Sequence, residues 1–65
     1  MHRIAIRWRE QRFDCELQSD GDTKWLCLFA GGQLVWRERV ASGYAACDRA
    51  REVARQLMAP VAQQA

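Results

Sequence analysis

The side chains best suited to chemistry in this sequence are nine arginines, three cysteines and one histidine. A guanidinium forms bidentate hydrogen bonds with phosphates, so arginines that share one face can hold a polyanion. The net charge of +2 is too small to indicate such a partner. The sequence also contains ten alanines, so the base composition of the genome is an alternative explanation for the many arginines. Five arginines on or beside alternating segments are the candidate nucleic-acid contacts: Arg7, Arg9, Arg12, Arg37 and Arg39.

The cysteines do not have the spacing of a metal site. Cys15, Cys27 and Cys47 lie 12 and 20 residues apart, without a C-x-x-C pair. Since zinc spacing is absent and the number of cysteines is odd, a cytoplasmic protein with reduced, buried thiols fits this set best. Cys15 and Cys27 are expected to be cross-strand neighbours that fill the core as thiols. Because neighbouring cysteines could also form a disulfide, their redox state stays open. Cys47 is expected to lie in the core.

A catalytic constellation is also missing from the sequence. His2 is the only histidine, whereas nucleophilic catalysis needs a base held beside the nucleophile. Gly31-Gly32 lacks the lysine and the helix of a phosphate loop. We therefore expect a non-enzymatic protein without catalytic residues, metal or cofactor.

The length of 65 residues allows one small domain, which we place over residues 1–60 with a frayed tail over 61–65. The longest uninterrupted apolar run has six residues, Trp25 to Ala30, so neither a signal peptide nor a membrane segment is expected. A core this small depends on its aromatic side chains. They are Trp8, Phe13, Trp25, Phe29, Trp36 and Tyr44.

Apolar residues alternate with polar ones over residues 3–9 and 12–18, which predicts two half-buried strands. The parity changes between them, so a turn is required, and we place it at Glu10-Gln11. This turn has poor hairpin chemistry. The alternative is an irregular N-terminal arm before a three-stranded sheet, which would free its arginines for nucleic acid.

Two further turns carry glycine. A turn centred on Gly21 would pair Cys15 with Cys27, and a turn at Gly31-Gly32 would pair Phe29 with Leu34 and Cys27 with Trp36. Glu38 then falls on the apolar face, so we expect it to lie at the sheet edge or to be turned outward by a bulge. A salt bridge to Arg49 or Arg55 is the alternative. All three registers place the apolar residues on one face.

A helix of about 15 residues follows, with Ser42 as N-cap and Pro60 after its end. Its apolar stripe predicts contact with the sheet. The expected fold class is α+β, an antiparallel β-meander of three to four strands packed on one C-terminal α-helix. Residues 12–58 resemble in architecture the small sheet-plus-helix DNA-binding arms of integrases, without a shared motif from which residue roles could be transferred.

The helix covers only one face of such a sheet. The predicted registers place Leu26, Leu28 and Val35 as an apolar strip on the other face, bordered by arginines. An apolar centre with an arginine rim suits a modest protein interface. The first hypothesis is therefore a protein-interaction or regulatory module, either a monomer that binds an unknown protein partner or a weak homodimer that self-associates through this strip. The alternative is a nucleic-acid-binding module that uses the five arginines.

Overall fold

The computed structural model of the chain describes residues 4–59. Four strands and one helix follow in chain order: β1 (Ile4–Glu10), β2 (Phe13–Asp20), β3 (Thr23–Ala30), β4 (Gln33–Val40) and α1 (Gly43–Leu57). The strands form one antiparallel sheet in the order β1-β2-β3-β4. This confirms the expected meander with a C-terminal helix. His2, the expected helix stop at Pro60 and the expected tail over 61–65 lie outside the described residues.

Each hairpin closes through a two-residue turn. The first turn is formed by Gln11 and Arg12, because Glu10 pairs with Phe13. It therefore lies one residue later than expected, which shifts the pairing by two residues and preserves the faces. Gln11 has a φ of 57°, the left-handed conformation that turns require and that side chains disfavour.

The second turn overturns the predicted face of β3. Asp20 pairs with Thr23, so the turn consists of Gly21 and Asp22 rather than being centred on Gly21. This change of one residue in register turns every β3 side chain to the opposite face. Leu26 and Leu28 consequently face the helix, each with 0% of its surface exposed. The prediction that they form an open apolar strip is wrong.

The third turn, Gly31-Gly32, is confirmed. Both glycines have positive φ, 58° and 84°, and Phe29 pairs with Leu34 as predicted. Leu28 pairs with Trp36, so Val35 is an extra residue on β4 and forms a β-bulge. Because of the bulge, Cys27 pairs with Arg37 and not with Trp36.

The core lies between the sheet and α1. Small residues on the helix, Ala46, Ala50 and Ala54, are fully buried together with Val53. The sheet contributes a compact set of buried side chains: Phe13, Cys15, Leu17, Leu26 and Leu28. Leucines of β3 thus take the core positions that we had expected for aromatic residues.

The aromatic residues divide between the two faces. Trp8 and Trp36 are half-buried and pack against the core, and Phe13 belongs to it. Tyr44 is 89% exposed, and Trp25 and Phe29 lie on the opposite face, so the expected core positions of these three are wrong. Cys47 is exposed, which corrects its expected burial.

The helix begins as expected. Ser42 is the N-cap, and its Oγ accepts a hydrogen bond from the Ala45 backbone N–H at 3.1 Å. An N-cap of this type stabilises a helix by about 1 kcal/mol. It fixes where the chain leaves β4 and crosses back over the sheet.

Glu38 lies on the helix-facing side and is compensated there. Its carboxylate accepts hydrogen bonds from Arg49 Nε at 2.9 and 3.0 Å and from Trp36 Nε1 at 2.6 Å. Of the two expected partners, Arg49 rather than Arg55 forms the salt bridge. The hydrogen bond and charge of Glu38 raise the pKa of Arg49.

Candidate nucleic-acid interface

The face of the sheet away from α1, called here the open face, is organised in three cross-strand rows. The rows follow from the strand registers, because directly opposed residues share a face. From β1 to β4 they run Ala5–Gln18–Trp25–Arg39, Arg7–Glu16–Cys27–Arg37 and Arg9–Asp14–Phe29–Leu34. The outer strands supply arginines, β2 supplies carboxylates, and β3 supplies two aromatic rings separated by a cysteine.

Trp25 is half-buried and lies beneath two arginines. The guanidinium carbon of Arg37 is 4.0 Å from the centroid of the Trp25 ring, and that of Arg39 is 5.9 Å away. Both distances lie within the range of cation–π attraction. The arrangement holds two positive charges above an aromatic surface at the β3–β4 side of the open face.

Phe29 lies four residues from Trp25 on the same strand and the same face. At about 3.3 Å per residue the two positions are about 13 Å apart. The sequence predicts both rings in the core and therefore no aromatic pair on this face; that prediction is wrong because the β2–β3 register differs by one residue. The paired spacing of Trp25 and Phe29 was visible in the sequence, but the face could be assigned only with the length of the turn.

The β1–β2 side of the open face carries two ion pairs that join the strands. Arg7 Nε lies 3.3 Å from Glu16 Oε2, and Arg9 lies 3.5 Å from Asp14 Oδ1. Gln18 Nε2 also donates a hydrogen bond to Glu16 Oε1 at 3.0 Å. The carboxylates are therefore compensated locally, while Arg37 and Arg39 face aromatic carbon.

A shallow concavity of about 630 Å³ lies over this side of the open face. Phe29, the two ion pairs and Gly32 of the third turn line it, together with Trp8 and Cys15 of β1 and β2. The concavity therefore brings together an aromatic ring, two carboxylates and two guanidinium groups. These groups can stack on a planar ligand and donate or accept hydrogen bonds at its edge.

Cys27 lies in the middle row and is almost completely buried. Burial raises the pKa of its thiol, Arg37 opposes this effect, and Glu16 adds to it. Cys15 is on the other face, opposite Leu28, where burial raises its pKa to about 11. All three cysteines are free, and the expected juxtaposition of Cys15 and Cys27 is wrong because the two lie on opposite faces.

The remaining predicted site residues are dispersed. Val35 is 41% exposed at the bulge, so it is accessible as predicted, whereas its two intended partners are buried. Arg12 is exposed in the first turn, next to the end of the open face rather than on it. Arg7, Arg9, Arg37 and Arg39 are brought to the open face as predicted.

A second concavity, of about 330 Å³, lies on the helix side. It is lined mainly by apolar groups where the start of α1 approaches β1: Ile6, Trp8, Leu17, Gly43, Tyr44 and Cys47. Ile6 and Tyr44 are exposed, and the buried Trp8 Nε1 has no hydrogen-bond partner among the described residues. This surface has no comparable set of charges.

Within residues 4–59 no cluster of three or more potential metal-binding side chains occurs. The same part of the chain contains no helix that is long and apolar enough to span a membrane. Comparisons with protein-family models, curated proteins and solved structures found no match to this chain.

Proposed function

We propose that this chain is a non-enzymatic module that binds single-stranded nucleic acid through its open face. The observation that carries the proposal is the placement of Arg37 and Arg39 over Trp25, at 4.0 and 5.9 Å. Sheet surfaces that bind single strands combine aromatic rings for base stacking with basic groups for phosphates. The open face offers both, with a second ring at Phe29.

The charge pattern supports the same conclusion. The two carboxylates of the open face are paired with Arg7 and Arg9. Arg37 and Arg39 are exposed and contact the Trp25 ring. A phosphate chain would therefore be attracted most strongly along β3 and β4, with a base turned toward Phe29. Stacking on Trp25 would require the guanidinium of Arg37 to leave the ring.

The test is fluorescence anisotropy of a labelled oligothymidylate of about ten nucleotides, a length within the usual range for single-strand sites. We expect binding that weakens steeply between about 50 and 200 mM salt. Replacing both Arg37 and Arg39 by Gln should lower the affinity at least about tenfold. The salt slope should fall by about 0.7 for each phosphate contact removed.

The matched control replaces Arg51 and Arg55 by Gln. Both are exposed on α1, so the change in net charge is the same but lies away from the open face. Retained binding in this variant, with loss in the Arg37/Arg39 variant, would localise the site. Equal losses in both variants, or no binding by the unmodified protein, would contradict the proposal.

Protein interaction is the second candidate function. It is favoured by the apolar concavity on the helix side, where Ile6 and Tyr44 are 55% and 89% exposed. Self-association through that surface would depend little on salt, because apolar contact is not screened. Sedimentation velocity of the unmodified chain and of Tyr44→Glu tests it: a dimer that persists at high salt and dissociates in the variant would support this role.

A further inference from the structure

The concavity of the open face places a carboxylate at the edge of an aromatic ring. Asp14 and Phe29 are directly opposed on β2 and β3, which brings their Cβ atoms to within about 4.5–5.5 Å of each other. The volume of about 630 Å³ above them is larger than a purine base. A base that stacks on Phe29 would therefore present its edge to Asp14.

Asp14 is the carboxylate of this site that is open to a ligand. Its side chain is 63% exposed, and its ion pair with Arg9 is 3.5 Å long, whereas strong charge-assisted bonds measure about 2.7–2.9 Å. Glu16 differs: its side chain is 20% exposed, and both of its oxygens have partners, in Arg7 and Gln18. Asp14 can therefore turn toward a ligand, because breaking its long, exposed ion pair with Arg9 costs little free energy.

An ionised carboxylate only accepts hydrogen bonds, and it accepts two side by side. The Watson–Crick edge of guanine presents two adjacent donors, N1–H and the 2-amino group. Adenine, cytosine and thymine each place an acceptor beside their donor, so one carboxylate oxygen would face a lone pair. We propose that the concavity selects guanine, stacked on Phe29 and bound at its edge by Asp14; this rests on the proposed single-strand binding.

The experiment uses the same oligothymidylate with one central thymine replaced by guanine, hypoxanthine, adenine or cytosine. Hypoxanthine keeps N1–H and lacks the 2-amino group, so it removes one of the two hydrogen bonds. Guanine should bind about tenfold more tightly than thymine, within the usual discrimination of a bidentate contact. Hypoxanthine should lie between guanine and adenine, and adenine should exceed thymine only by what its larger ring adds to stacking on Phe29.

Asp14→Asn should abolish the preference for guanine, because the amide offers a donor in place of one acceptor. Asp48→Asn is the matched control, since Asp48 is exposed on α1 and the change in charge is the same. It should keep the preference. An amide NMR spectrum of each variant, compared with that of the unmodified protein, verifies that the fold is retained.

The two proposals fail in different ways. Equal affinity for all central bases, or a guanine preference that survives Asp14→Asn, would overturn the selection of guanine and leave single-strand binding intact. No binding of any oligonucleotide would overturn both.

Discussion

The guanidinium of Arg37 lies over the ring of Trp25, 4.0 Å from its centroid. Trp25 is opposed in register by Arg39, whereas Arg37 is opposed by Cys27. Arg37 therefore reaches diagonally across the strands to the ring, and the guanidinium of Arg39 lies over the same ring at 5.9 Å from its centroid. The position of the ring on the open face is thus tied to both arginines of β4.

The two arginines should differ in their contribution to stability. Exposed cation–π pairs contribute about 0.5–1 kcal/mol, and the shorter distance of Arg37 predicts the larger share. A double-mutant cycle with Trp25→Leu and Arg37→Gln should give a coupling of this size in urea unfolding. The same cycle with Arg39→Gln should give less, and a reversed order would contradict this reading of the contact.

The register of β3 can be tested by core truncation. Leu28→Ala should lower the free energy of unfolding by about 2–5 kcal/mol, because it removes buried methyl groups and leaves a cavity. Leu34→Ala should change it by no more than about 0.5 kcal/mol, since Leu34 is 51% exposed. Similar losses for the two variants would be incompatible with the observed register.

The alkaline stability should depend on Cys15. Its pKa is about 11 in the folded chain against 9.0 for an ordinary thiol, so the folded state holds the proton more tightly. The resulting stabilisation is fully present below pH 9 and is lost as the pH rises toward 11. At about 1.4 kcal/mol for each unit, the loss is about 2–3 kcal/mol.

Urea unfolding at a series of pH values measures this effect. Cys15→Ala should unfold with a shallower alkaline decline, although it is less stable at neutral pH. Cys47→Ala is the control, because Cys47 is exposed, and its profile should follow that of the unmodified protein. Identical alkaline slopes in all three proteins would rule out Cys15 as the source.

A substitution in the first turn should increase the stability of the protein. Gln11 has a φ of 57°, a conformation that costs about 1–2 kcal/mol for a residue with a side chain. Gln11→Gly should therefore raise the free energy of unfolding, by up to about 1 kcal/mol. Gln33→Gly, at the start of β4, should lower it by about 0.5–1 kcal/mol. A loss of stability in Gln11→Gly would show that the side chain matters more than the strain.

The start and the length of the helix were predictable because their signals are local, whereas the exposure of Cys47 was not. Ser42 has the right chemistry for an N-cap, and apolar residues recur at helical spacing up to Leu57. The Gly31-Gly32 turn was equally clear, since two adjacent glycines can take positive φ at both central positions of a tight hairpin turn. These features needed no knowledge of the rest of the fold.

The face of β3 could not be read in the same way. The run Trp25 to Ala30 is apolar at every position, so alternation does not distinguish its two faces. The choice then depended on whether the turn is centred on Gly21 or consists of Gly21 and Asp22, and the sequence Ser-Asp-Gly-Asp is compatible with both. The residues of the candidate site changed with that choice. Leu26 and Leu28 lie on the helix-facing side instead of the open face, and Trp25 and Phe29 lie on the open face instead of in the core.

The order of the strands also affects whether two copies of this chain can associate through the edges of their sheets. β1 and β4 are the outer strands, and each presents two arginines on the open face, Arg7 and Arg9 or Arg37 and Arg39. A neighbouring copy that extended the sheet at either edge would add arginines beside arginines, and like charges in opposed positions destabilise strand pairing. Charged edge strands of this kind protect proteins against aggregation. The sheet therefore carries its own barrier against growth into a fibril.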